Sequence, residues 1–101
     1  MIHRNIDNTE RLVFYQMRED YIRVNSQNRH SDIPYFDIYY PSKEFPIGKE
    51  NEDKFCVVEI GGENYHYFNI LDECIIYVFK VFNEYLQKIE YFTKESKENE
   101  I

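Results

Sequence analysis

The chain has 101 residues and a formal net charge of −7, and 31% of its residues are charged. Aromatic residues make up 18% and hydrophobic residues 43%, a content that excludes an intrinsically disordered chain. The length fits one domain, since typical domains span about 100–150 residues. We therefore expect residues 1–101 to form a single domain, with 1–6 and 93–101 as frayed termini.

The negative charge disfavours direct binding to nucleic acid, because that binding depends on cationic side chains that neutralise phosphates. It equally disfavours an anionic membrane surface, and no segment is apolar enough to span a bilayer. Two cysteines do not make a disulfide framework, so we expect a cytoplasmic protein. An acidic domain of this kind is suited to a basic protein partner.

The first predicted element is a helix from Asp7 to Gln27. Asp7 can cap this helix, and Glu10 three residues later suits a capping box. An apolar stripe follows at helical spacing, formed by Val13, Phe14, Met17, Tyr21 and Val24. The segment LVFYQM within it also has a strong strand propensity. Residues 28–34 predict a connection, because they are rich in turn-forming types.

The middle of the chain predicts one strand and one loop. Residues 35–40, YFDIYY, read as a strand that Pro41 closes. Side-chain alternation divides it into two faces, one with Tyr35, Asp37 and Tyr39 and the other with Phe36, Ile38 and Tyr40. Residues 41–54 predict an exposed loop, anchored by Phe45 and Ile47.

A hairpin is predicted over residues 55–60 and 65–70, because Gly-Gly-Glu-Asn separates two runs of strand-forming residues. A four-residue loop would set Ile60 opposite Tyr65 and Glu59 opposite His66. A two-residue Gly-Gly loop would shift this register, so both registers stay open.

Asp72 is expected to cap a final helix over Glu73–Phe92. Its apolar face consists of Ile75, Val78, Phe79, Phe82, Leu86 and Ile89. The predicted element order is therefore α-β-β-β-α. We expect an α+β domain in which a three-stranded antiparallel sheet packs against N- and C-terminal helices.

Cys56, His66 and Cys74 are the candidates for a metal site or a nucleophile. Their spacing lacks the close ligand pairs of zinc sites, and a fourth ligand is missing. Cys74 near a helix N-terminus could be activated by His66, but no third residue orients such a pair. Buried cysteines that act as small hydrophobes are the favoured interpretation. We expect no metal, no cofactor and no enzymatic activity.

Tyrosines mixed with acids are the strongest functional pattern, since the chain contains ten Tyr. Tyrosine is favoured at interfaces because it buries a rigid ring and keeps a polar tip. The predicted partner-binding residues are Tyr35, Asp37, Tyr39, Glu50, Glu52, Asp53, Glu63, Tyr65 and Tyr67. The competing interpretation is the codon bias of an AT-rich genome, combined with a sheet face half-covered by its own loop.

These features favour a non-enzymatic acidic binding protein that inhibits a basic, nucleic-acid-handling protein, for example as a DNA mimic. In length, acidity and element order the chain resembles small phage-encoded inhibitors of CRISPR nucleases, some of which occupy DNA-binding surfaces. One alternative is an immunity protein that neutralises a bacterial toxin. Another is a homo-oligomeric structural or adaptor module, with a homodimer as its simplest form.

Overall fold

A five-stranded sheet and one helix make up the fold. The computed structural model describes residues 11–27, 33–61 and 64–99, with side chains up to position 89. Five strands precede a single helix within these ranges: β1 Leu12–Met17, β2 Tyr21–Ser26, β3 Phe36–Tyr39, β4 Phe55–Glu59, β5 Tyr65–Phe68 and α1 Leu71–Asn99. Each strand pairs antiparallel with the next along the chain. A short 3-10 turn, Lys49–Glu52, lies in the loop between β3 and β4.

The first part of the chain is a hairpin, so the prediction of a helix over Asp7–Gln27 was wrong. β1 pairs along its whole length with β2. The connecting turn begins at Arg18, whose φ of 54° reverses the chain sharply. The strand propensity of LVFYQM and YIRVNS prevails, because pairing gives every residue a cross-strand neighbour. The proposed capping box of Asp7 and Glu10 lies outside the described residues.

The apolar spacing that predicted the helix is divided between two faces of the sheet. Phe14 and Val24 are cross-strand partners, and both face α1. Met17 and Tyr21 are cross-strand partners on the opposite face. Two short strands joined by a tight turn can therefore imitate a helical spacing. The predicted three-stranded sheet packed against N- and C-terminal helices is replaced by a five-stranded, mostly β fold with one helix.

The hydrophobic core lies between α1 and one face of the sheet, which we call the helix face. Side-chain alternation directs one set of strand residues to this face, and they meet the inward side of the helix. The buried cluster consists of Val24, Phe36, Ile38, Val57, Cys74, Val78 and Val81. Each fully buried aliphatic side chain of this kind contributes about 1.5–3 kcal/mol relative to its exposed state.

β3 confirms the predicted strand and its two faces. Phe36 and Ile38 are fully buried against α1, whereas Asp37 points to the other side of the sheet. The predicted ends were one residue too far out on each side, since the strand covers Phe36–Tyr39. The alternation of apolar and polar side chains was therefore a sufficient signal for this element.

The second hairpin is present, and its register is the shifted one expected for a two-residue Gly-Gly loop, so Glu59 does not pair with His66. Val58 lies opposite Tyr65, and Val57 lies opposite His66. On the other edge of β4, the backbone N–H of Ile60 donates to the Tyr35 carbonyl at 2.8 Å. Ile60 therefore extends the ladder between β4 and β3. A shift by two residues leaves every side chain on its original face.

α1 starts close to the predicted position and ends later than predicted. Asp72 and Glu73 lie in its first turn, where acids favour the positive end of the helix dipole. The Glu73 carboxylate also accepts a hydrogen bond from the Asn69 N–H at 3.2 Å. The predicted end at Phe92 was too early, because the helical backbone continues to Asn99. Within the described residues, no helix is both long enough and apolar enough to cross a lipid bilayer.

Replacing Ile38 by Val is expected to lower the free energy of unfolding by about 0.5–1.5 kcal/mol, because a buried methylene is lost from the core. The matched control is Ile76→Val, since the Ile76 side chain on α1 is 68% exposed. That control should change stability by less than about 0.5 kcal/mol. Urea denaturation measures both, and equal losses would contradict this placement of the core.

Candidate functional site

The sheet face opposite α1 carries a group of tyrosines, and we call it the tyrosine face. Two cross-strand rows build it: Met17, Tyr21, Tyr39, Cys56 and Tyr67, and beside them Tyr15, Arg23, Asp37, Val58 and Tyr65. Tyr35 joins them immediately before β3, where its ring meets Arg23. Alternation along each strand thus separates the tyrosines from the aliphatic core.

The structure brings together most of the residues predicted to bind a partner. Tyr35, Asp37, Tyr39, Tyr65 and Tyr67 all lie on the tyrosine face. Glu50, Glu52 and Asp53 are exposed on the loop between β3 and β4. Glu63 lies outside the described residues. Contact of this set with a partner remains a prediction.

Sequence reasoning missed Tyr15 and Tyr21 as members of this face. The cause was the assignment of residues 7–27 to a helix, which removed both from the sheet. The alternation in LVFYQM and YIRVNS carried the signal, because it places Tyr15, Tyr21 and Arg23 on a common side when the two segments pair.

An ion pair lies at the centre of the tyrosine face. Arg23 on β2 faces Asp37 on β3, with Nε 2.9 Å from Oδ1 and Nη2 3.0 Å from Oδ2. The side chain of Asp37 is only 2% exposed, whereas that of Arg23 is 32% exposed. The hydrogen bond to Asp37 raises the pKa of Arg23, so the guanidinium stays charged. Asp37 is therefore occupied within the fold and offers no free carboxylate to a partner.

Aromatic rings surround this ion pair. The guanidinium carbon of Arg23 lies 4.7 Å from the ring centre of Tyr35 and 5.7 Å from that of Tyr21. Tyr21 in turn stacks on Tyr39 with 4.9 Å between ring centres. Each cation–π contact contributes about 0.5–1 kcal/mol at an exposed site. These contacts hold the rings of Tyr21, Tyr35 and Tyr39 in place.

The loop between β3 and β4 covers the β5 side of the tyrosine face. The Tyr67 hydroxyl donates to the Ile47 carbonyl at 3.0 Å. Gly48 follows with a φ of 77°, and its Cα lies so close to that hydroxyl that a Cβ would collide with it. Burial raises the pKa of Tyr67, and the charge of nearby Glu50 adds to the effect. Tyr67 therefore belongs to the fold more than to an open surface.

Asn51 organises this loop, and sequence reasoning did not find it. Its side chain is fully buried, and its Oδ1 accepts the Ile47 N–H at 3.0 Å. Its Nδ2 donates to the carbonyls of Lys54 at 2.8 Å and Tyr40 at 3.3 Å. The predicted anchor Phe45 is exposed instead. Nothing in the sequence KENEDK distinguishes this asparagine, because its role depends on carbonyls that only the folded loop brings together.

A cleft of about 790 Å³ opens on the β1–β2 side of the tyrosine face. Its volume lies within the range of roughly 300–1,000 Å³ that is usual for ligand sites. Its lining combines rings, aliphatic groups and hydrogen-bond donors, among them Tyr15, Met17, Arg23, Asn25, Ile33 and Tyr35. This mixture suits an inserted side chain that has an apolar stem and a polar tip.

The three residues considered as metal ligands or nucleophile do not form a common site. Cys56 lies on the tyrosine face, Cys74 lies on α1 in the core, and the His66 ring packs against Tyr77 at 4.7 Å. The described residues contain no group of three His, Cys, Asp or Glu side chains that could hold a metal ion. Burial raises the pKa of Cys56 to about 11 and that of Cys74 to about 12. Both are therefore neutral thiols at pH 7 and poor nucleophiles.

Comparisons with protein families, with curated proteins and with solved structures found no significant match to this chain. The resemblance to inhibitors of CRISPR nucleases rested partly on an α-β-β-β-α order that the chain does not have. That resemblance therefore supports no function. The interpretation of the tyrosine face depends on its own geometry.

Replacing Gly48 by Ala is expected to lower the free energy of unfolding more than replacing Gly61 by Ala. Both glycines have a positive φ, 77° and 102°, so a side chain at either position strains the backbone by about 1–3 kcal/mol. Only at Gly48 does the new methyl group also meet the Tyr67 hydroxyl. Urea denaturation compares the two variants. In a Tyr67→Phe background, the difference in free energy of unfolding between the Gly48→Ala and Gly61→Ala variants should shrink. An unchanged difference would contradict docking of the loop on Tyr67.

Stability is expected to fall as the pH rises above about 8.5, the pKa of an exposed thiol. Because burial raises the pKa of Cys56 to about 11, the folded state keeps a proton that the unfolded chain releases. The contribution of Cys56 to the free energy of unfolding is therefore fully present below about pH 8.5 and is lost as the pH approaches 11. Denaturation at several pH values measures the slope. In a Cys56→Ala/Cys74→Ala variant, the free energy of unfolding should fall less steeply with pH. An equally steep fall would contradict the raised pKa values of the two buried thiols.

Proposed function

We propose that the protein is a non-enzymatic acidic binding protein that docks its tyrosine face onto a basic, nucleic-acid-handling protein and inhibits it. The observation that carries the proposal is the exposure of rings on the side away from the core. Tyr15 is 40% exposed, Tyr35 37% and Tyr65 51%. Half-exposed aromatic rings that share one face are typical of protein interfaces.

The arrangement of the rings favours recognition of a protein. Tyr35 is held by Arg23, and Arg23 is held by Asp37, so the centre of the face is rigid. A rigid aromatic surface loses little side-chain entropy on binding. The neighbouring cleft can receive a projecting side chain, which would provide a central anchor of the kind that dominates binding energy.

Acidic residues support a basic partner. The chain carries a net charge of −7, and Glu50, Glu52 and Asp53 are exposed on the loop that bounds the tyrosine face. Glu50 is close enough to Tyr67 to contribute to the rise of its pKa. Carboxylates at the rim of an interface steer a positively charged surface towards it. Surfaces that bind nucleic acid are positively charged, so they form the favoured class of partner.

Affinity capture from lysate of the source cell, followed by mass spectrometry, tests this function. The wild-type protein is expected to retain a basic nucleic-acid-binding protein, and the Tyr35→Ala/Tyr65→Ala variant to lose it. Loss of two interface anchors should weaken affinity about 10-fold or more per ring. The matched control is Ile76→Ala, which removes an exposed apolar side chain from α1. Equal capture by both variants would contradict a binding role for the tyrosines.

The acidic loop provides a second arm of the same measurement. Glu50→Lys changes the net charge by the same amount as Glu84→Lys, whose exposed side chain lies in the middle of α1. Only the loop variant is expected to weaken capture and to flatten its dependence on salt. An identical effect of both variants would show that net charge alone, without a defined acidic rim, attracts the partner.

A further inference from the structure

β1 is an edge strand, and its outer side has no partner among residues 11–27, 33–61 and 64–99. Its six residues, LVFYQM, include neither a charged residue nor a proline. Its pairing with β2 is continuous over the whole strand, without a bulge. Proteins usually protect an edge with lysine, proline or a bulge, because unpaired backbone groups attract other strands. The described part of β1 has none of these protections.

One hydrogen bond establishes which backbone groups of β1 point outwards. The Gln27 N–H donates to the Arg11 carbonyl at 2.6 Å, so residues 11 and 27 form a hydrogen-bonded pair. Such pairs alternate along an antiparallel ladder, so Val13, Tyr15 and Met17 also bond to β2. The N–H and C=O groups of Leu12, Phe14 and Gln16 therefore face the open edge.

This edge is complementary to a second copy of itself. Antiparallel strands in a sheet are related by a two-fold axis perpendicular to the sheet, and most homo-oligomers use such symmetry. With the axis at Phe14, the outward groups of Phe14 pair with the same residue of the second copy. Leu12 then pairs with Gln16 of the second copy, so the outward groups of all three residues are bonded. No charged residues oppose each other, since the strand has none.

Side chains beside the edge provide apolar area for the same contact. Phe14 and Phe79 are 40% and 42% exposed, and their ring centres lie 6.2 Å apart on the helix face. A two-fold axis at Phe14 brings the two copies of this ring next to each other. On the tyrosine face, the same register sets Val13 opposite Tyr15 of the second copy, and such pairs of a β-branched and an aromatic residue stabilise sheets.

We propose that the protein is a homodimer in which the two β1 strands pair antiparallel about Phe14 and form one continuous ten-stranded sheet. The axis is perpendicular to the sheet, so both tyrosine faces lie on the same side. Tyr15 of each copy then lies beside the axis, and the two clefts flank it. The dimer offers a partner two binding faces in a single plane, which increases avidity. The β1 edge and the adjacent Phe79 ring carry this dimer, which does not depend on the proposed partner.

Sedimentation equilibrium over a wide concentration range measures the dimer. Phe14→Lys and Phe14→Glu each place like charges opposite each other at the axis, and each should raise the dissociation constant of the dimer about 10-fold or more. An equimolar mixture of the two variants should restore the dimer, because Lys then opposes Glu. Tyr65→Lys, on the other edge strand, is the matched control and should leave the dimer intact. Circular dichroism verifies that each variant is folded.

Amide hydrogen exchange on the wild-type chain provides a test without substitutions. The amides of Leu12, Phe14 and Gln16 should be protected at high protein concentration and should exchange rapidly after dilution. A strict monomer would overturn the proposal, as would a dimer that both Phe14 variants leave unchanged. Protection that does not depend on concentration would overturn it too, because a segment of the same chain would then cover the edge. If the Phe14→Lys and Phe14→Glu variants do not associate with each other in the equimolar mixture, the strand register centred on Phe14 is excluded.

Discussion

A single helix can cover only one face of a five-stranded sheet, and the remainder of the molecule follows from this constraint. α1 packs on the face formed by Phe36, Ile38 and Val57, and the aliphatic core ends there. The opposite face has no helix in the described part of the chain, so it must combine strand-forming side chains with contact to water. Tyrosine meets both needs, because its ring covers the strands and its hydroxyl remains solvated.

The tyrosine face is divided between a structural half and an open half. On the β5 side, the loop organised by Asn51 accepts the Tyr67 hydroxyl and closes over the sheet. On the β1–β2 side, Arg23 is held by Asp37 and leaves a cleft bordered by Tyr15 and other exposed rings. The fold thus fixes the rings at one end and presents them at the other. This division explains how the same residue type serves stability and, in our proposal, recognition.

In our proposal these groups serve binding. The two thiols are buried, and their raised pKa values keep them protonated at neutral pH. The groups exposed near the face include phenols, carboxylates and the Arg23 guanidinium, which Asp37 already engages. Such groups supply shape, hydrogen bonds and charge. Pairing of two β1 strands would extend the same surface across a two-fold axis and would remove an edge that the described residues leave unprotected.

The sequence by itself determined β3, the second hairpin and the start of α1. These elements carry local signals, namely alternation, a glycine turn and acids at a helix start. It also placed Tyr35 and Tyr65 on one face, because alternation survives a register shift of two residues. Only the tertiary structure decided that residues 12–26 form a hairpin, since their apolar spacing fits either a helix or two paired strands. The loop anchor Asn51 and the partner of Ile60 also depended on it, because both are set by backbone carbonyls distant in sequence.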